Sequence, residues 1–243
     1  MFSGKLSNLK KEATLQLSNK KRIFAFLITS LILSAQYSCA PTKEKTIRNA
    51  FLDYTGSYII YISKKDFSLT VYNKDLKPVK TYKIAYGQNP DLKNKIYAGD
   101  NRTPEGLYRI NEILSMDAQS SSESYRKIKS MNKVYFRAKD GHSKFGKNDV
   151  DLGDNAFGPR YYGIDYPNES DIKHYNQRIE KNEIKTVKGK IPEIGSGIAI
   201  HGNTDEFSIG KAASNGCIRM FNNDIVELED YIRINMPVII SAH

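Results

Sequence analysis

At 243 residues the chain is long enough to bury a real core as one large domain or two small ones, and its 40% apolar and 11% aromatic content suits a globular protein. Half of its formal charge of +10 belongs to the first 38 residues, which carry six basic side chains against Glu12. The rest reads as a solvated, mixed-charge face, and no basic-aromatic module marks a nucleic-acid partner.

Residues 1–39 have the layout of an export signal: Lys20, Lys21 and Arg22, an apolar run from Ile23 to Leu33, then small and polar residues up to Cys39. The run is too short to span a bilayer comfortably. Cys39 after Ser38 resembles a bacterial lipoprotein junction, although Gln36 and Tyr37 depart from that pattern. Two outcomes stay open: a lipid on Cys39 that attaches the chain to a membrane, or cleavage near Ala35 or Ala40. Both place the protein in the periplasm or cell envelope.

Residues 40–56 read as a polar tether, followed by one folded domain over 57–241. Ser57–Ser63, Phe67–Tyr72 and Pro78–Gly87 form a meander of β-branched and aromatic strands separated by short turns. Gly99, Pro104 and Gly106 then shape a compact turn, in which Asp100 and Arg102 are placed to pair, before a strand over Leu107–Ile110. The segment 111–160 has little periodicity beyond a short helix near Tyr125–Lys129; a stretch of this length holds its own structure or covers a functional site. A strand over Tyr161–Tyr166, helical stretches within 169–190, and a buried strand Ile198–His201 follow. Asp224 with Glu227 resembles a capping box opening a helix whose apolar face is Ile225, Leu228, Tyr231 and Ile232. Pro237–Ile240 closes with a strand. There is no internal repeat and no second domain.

Chemistry gathers near the end. His201 closes an apolar strand, and Cys217 follows Asn215-Gly216 sixteen residues later. The chain has two cysteines, and once Cys39 is lipidated or removed Cys217 is a lone thiol in an oxidising compartment, a liability unless buried or used. Each residue alone is usually core filler. Together, an imidazole and a thiol in one cleft are the minimum for a thiolate nucleophile. Gly216 lets the turn aim its amides at one point, as an oxyanion hole requires. Ser214 and Arg219 add donors; Arg219 either binds a substrate carboxylate or braces the loop through an internal acid.

His201-Gly202 and Ser214-Asn215-Gly216-Cys217-Ile218-Arg219-Met220, with Asp224 and Leu228 beyond, resemble the L,D-transpeptidase catalytic domain (the YkuD type). Tyr86-Gly87, Gly99–Tyr108 and Tyr166-Pro167-Asn168 resemble its upstream motifs, in the same order. Members commonly carry histidine where Asn215 stands, and 111–160 is longer than the minimal domain, so it reads as an insertion. The resemblance implies a mixed α+β, β-rich, sandwich-type fold with short helices. It implies that Cys217 attacks a peptidoglycan stem peptide at the third residue, releasing the terminal D-alanine, with His201 as base and acid. The amides of Asn215, Gly216 and Cys217 would hold the oxyanion and a carbonyl near Gly202 would orient the imidazole. It implies no cofactor and no metal, and the four histidines show no ligand spacing. The acyl-enzyme passes to an amine, making a cross-link, or to water, making a hydrolase of stem peptides or wall-attached protein. A non-catalytic wall-binding lipoprotein is the third reading.

Overall fold

The computed structural model describes residues 41–187 and 189–243, and Lys43–His243 form one unit. In chain order its elements are α1 (Lys43–Ala50), β1 (Tyr58–Ser63), β2 (Ser68–Asn73), β3 (Pro78–Gly87), β4 (Gly106–Ser115) and α2 (Glu123–Asn132). Then come β5 (Ser143–Lys144), β6 (Lys147–Asp151), β7 (Arg160–Ile164), α3 (Glu169–Glu180), β8 (Ala199–His201), β9 (Ala212–Ser214), β10 (Ile218–Met220), α4 (Asn222–Leu228) and β11 (Pro237–Ser241).

The main sheet runs β10-β8-β7-β4-β11-β1-β2-β3-β9, and a further pairing of β10 with β3 closes it. Two long strands make the closure. β3 pairs with β2 through its first residues and with β10 through Ile84 and Ala85. β4 pairs with β11 over Gly106–Arg109 and with β7 over Ile110–Ser115. Each therefore passes from one half of this closed sheet into the other, and the two halves act as two sheets on either side of a shared core. That core contains Ile60, Ile62, Val71, Ile84, Ile110, Ile200, Ile218, Met220 and Val238, all essentially inaccessible to solvent. The β-branched residues read from the sequence as strands are the ones that fill it.

Three expectations change. The stretch 40–56 is not only a tether: Lys43–Ala50 is helical, and Ile47 and Ala50 pack against Ile59, Tyr61 and Ile239. Its low hydropathy hid two apolar residues three apart, enough for one buried stripe. The folded unit therefore starts before Gly56. Asp224 does not cap a helix, because α4 begins at Asn222, where the backbone N–H donates to Glu206 Oε1 at 2.6 Å. The capping box present in the fold is at α3, where Asn168 and Asp171 cap each other's backbone, and Tyr108 donates its hydroxyl to Asp171. The segment 111–160 extends β4 to Ser115, forms α2, and folds the β5–β6 hairpin. The expected signal sequence and Cys39 lie outside the described residues.

Candidate active site

β8 and β10 run parallel, with Ile200 beside Ile218 and His201 beside Arg219. Ile200 and Ile218 point into the core. Side chains alternate along a strand, so His201 and Arg219 share the opposite face. Across that face one row runs Tyr161, His201, Arg219, Ala85, from β7 through β8 and β10 to β3. Cys217 directly precedes β10, two residues before Arg219.

A cavity of about 230 Å³ lies over this face, and Cys217, His201, Arg219, Ser214 and Asn215 all line it. Its other wall comes from the segment 111–160, through Phe136, His142, Leu152 and Phe157. Those four went unnoticed in the sequence because they come from short, irregular pieces with no periodicity.

His201 is buried, stacked on Tyr161 at 6.2 Å and met edge-on by Phe157 at 5.1 Å. Its Nδ1 lies against the carbonyl of Gly202. A carbonyl only accepts, so Nδ1 carries the proton and Nε2 keeps the lone pair. Burial, with the Arg219 charge beside it, pushes its pKa down to about 3. Cys217 is half-buried, and its thiol donates to the carbonyl of Gly197 at 3.5 Å. Burial pushes the thiol up, against the smaller opposing pulls of a backbone hydrogen bond from Ala199 and the charges of Arg219 and Lys95. The resting pair is thus a neutral thiol and a neutral imidazole. An imidazolium poised to lower the thiol pKa is absent from this resting site.

The turn before Cys217 is held at several points. Gly216 has φ +139°, and a Cβ there would sit 3.0 Å from the Arg102 carbonyl oxygen and 3.0 Å from the Ile198 side chain. Its amide donates to Ser214 Oγ at 3.1 Å, and Ser214 Oγ donates to the Cys217 carbonyl at 2.5 Å. The Gly216 amide is therefore occupied within the turn. Thr103 Oγ1 donates to the Gly216 carbonyl at 2.7 Å while accepting from the Gly87 amide at 2.9 Å. The upstream motif thus reaches across to fix the nucleophile's turn. Arg102 pairs with Asp91 at 2.5 Å and stands 3.9 Å from Asp100, so the expected pairing inside the loop is a long one. Asp100 instead binds Lys95 Nζ at 2.8 Å and the amides of Ile96, Tyr97 and Arg102.

Arg219 makes no ion pair within 4.0 Å among the described residues; one N–H reaches the Ala213 carbonyl at 3.4 Å. Its Nε is buried without a partner. The acid acting on it, Asp205, accepts the Phe145 amide at 2.9 Å. A buried cation with an idle donor, lining a cavity, is suited to an arriving carboxylate.

Residues 57–240 match the L,D-transpeptidase catalytic domain. The chain belongs to this family. YqjB of Bacillus subtilis (strain 168), provisionally named an L,D-transpeptidase, is 30% identical over 188 residues, which is 76% of this chain and 72% of that protein. Among solved structures, Bd1075 of Bdellovibrio bacteriovorus is 23% identical with a TM-score of 0.44, covering 77% of this chain and 49% of that one. The helical cell shape determining protein Pgp2 of Campylobacter jejuni is 20% identical with a TM-score of 0.45, covering 82% and 54%. The chain spans about half the length of these two solved proteins. An L,D-transpeptidase domain is an acyltransferase, and the family acts on peptidoglycan stem peptides. Among the described residues no cluster of three or more His, Cys, Asp or Glu is placed to hold a metal.

Proposed function

We propose that this L,D-transpeptidase forms or remodels peptidoglycan cross-links through an acyl-enzyme on Cys217. The observation that carries the reading is the tautomer of His201: Nδ1–H is held by Gly202, which leaves the lone pair on Nε2, and the ring lines a cavity shared with the chain's one described thiol. His201 takes the thiol proton as sulfur attacks the carbonyl of the third stem residue. It returns that proton to the departing D-alanine nitrogen. The amides of Asn215 and Cys217 receive the oxyanion. Arg219, with its idle Nε, holds a carboxylate of the donor stem. An amine of a second stem then takes the acyl group.

Incubation of purified protein with a tetrapeptide muropeptide tests the reading. Cross-linked dimer with released D-alanine supports it. Tripeptide without dimer assigns the acyl group to water, and loss of neither product in Cys217→Ala ends the catalytic reading. We place the enzyme in the cell envelope, on the strength of the basic and apolar leader and the Ser38-Cys39 junction. Mass measurement of the mature N-terminus separates a lipid on Cys39 from cleavage near Ala35 or Ala40.

A further inference from the structure

The cavity holds a second imidazole. His142, from the loop entering the β5–β6 hairpin, lines the same space as Cys217 and His201. Its backbone is fixed on both sides: its amide donates to the Arg137 carbonyl at 3.2 Å, and its carbonyl accepts from Leu152 at 2.9 Å. Its ring lies on Phe136 at 4.7 Å, and Phe136 leans on Phe157, which touches His201. Nε2 of His142 faces the nucleophile's turn, 3.5 Å from the Asn215 side-chain nitrogen. The other end of that amide accepts from Gln88 Nε2, also at 3.5 Å. An amide nitrogen only donates, so Nε2 of His142 carries a lone pair. Burial and Arg219 both push His142 below the usual imidazole range, against a smaller opposing pull from Asp140. Among the described residues, Arg219 and Asp140 are the charged groups that act on it.

Proton bookkeeping gives this imidazole a task. A primary amine on a stem side chain titrates near 10.4 or so, like lysine, and arrives at neutral pH as an ammonium. It must lose one proton before its nitrogen can attack and a second after the C–N bond forms. His201 moves only one, to the sulfur released as the C–S bond breaks. Water needs only that one transfer.

We infer that His142 is the base that accepts the first proton from the incoming ammonium, making this site selective for an amine acceptor over water. The inference rests on the acyl-enzyme reading above. In balance, the ammonium and the Cys217 thioester give an amide, the free thiol and one proton, and that proton leaves through His142 to solvent.

The test uses the full chain with a tetrapeptide donor and a primary-amine acceptor stem, comparing wild type with His142→Gln. D-alanine release reports acylation, and the ratio of dimer to tripeptide reports the acceptor. A positioned base supplies about 10²–10⁴-fold, so the ratio is expected to fall at least about tenfold at pH 7. In wild type the ratio rises with pH only until His142 has lost its proton, below the ordinary 6.5, and is level through neutral pH; in the variant it keeps climbing toward the amine's own range, because only free amine can then attack. Hydroxylamine, which is unprotonated at neutral pH, should be accepted equally by both proteins. Release of D-alanine with an unchanged ratio and pH profile overturns the inference alone. Equal loss with hydroxylamine overturns it too, since His142 would then only shape the cavity. Absence of D-alanine release from wild type overturns the acyl-enzyme reading and this one with it.

Discussion

At the scale of single residues, the site rests neutral. The thiol is pushed up and His201 down, so the thiolate forms only as proton and substrate move together. Alkylation of Cys217 by iodoacetamide should therefore climb with pH and inflect above a free cysteine; a plateau near pH 6 would reveal a preformed ion pair instead. His201 also ties stability to pH. Its folded pKa lies below its ordinary 6.5, so its contribution is complete above pH 6.5 and is lost as pH falls toward about 3. The melting temperature of wild type should drop more steeply from pH 7 to pH 4 than that of His201→Gln. Arg219 is the third residue with a definite expectation. Arg219→Lys keeps the charge but loses the planar fork, and KM for the donor stem should rise about tenfold or more. An unchanged KM would mean that the guanidinium does not contact the donor.

Elements show what was readable and what was not. Strands β1, β2, β3, β8 and β11 were legible because their residues are β-branched, aromatic or apolar and face a core on at least one side. His201 and Cys217 were legible as a pair because glycine and asparagine punctuate the chain beside the thiol. The cavity's outer wall was not. Phe136, His142 and Phe157 sit on three separate irregular pieces, and only tertiary contact assembles them. Helix α1 was missed for the opposite reason, a polar stretch hiding one buried stripe. Ile47→Ala should cost about 2–4 kcal/mol, read as a lower denaturation midpoint. The Thr103 connection was likewise invisible, since it joins residues 113 apart. Thr103→Val keeps the shape and leaves the Gly216 carbonyl and the Gly87 amide unpaired, which should cost about 1–3 kcal/mol. The same variant should slow acylation several-fold, because the turn carrying Cys217 loses its brace. Full acylation with lowered stability would limit Thr103 to a structural role.

Across the whole molecule, the two sheets are joined by β3 and β4, and the reactive row lies where β3, β10, β8 and β7 meet. The strand that completes the other sheet is β11, lying between β4 and β1. It runs parallel to β1, and Tyr61 reaches the carbonyl of His243, 182 residues away. Contacts so distant in sequence make folding slow, because a long loop must close before they reward it. Timing follows from this placement. Until β11 has been made and has found its slot, β1 and β4 have no partner between them. The thiol of Cys217 would thus gain its finished cleft only once β11, which follows it in the chain, has docked between them.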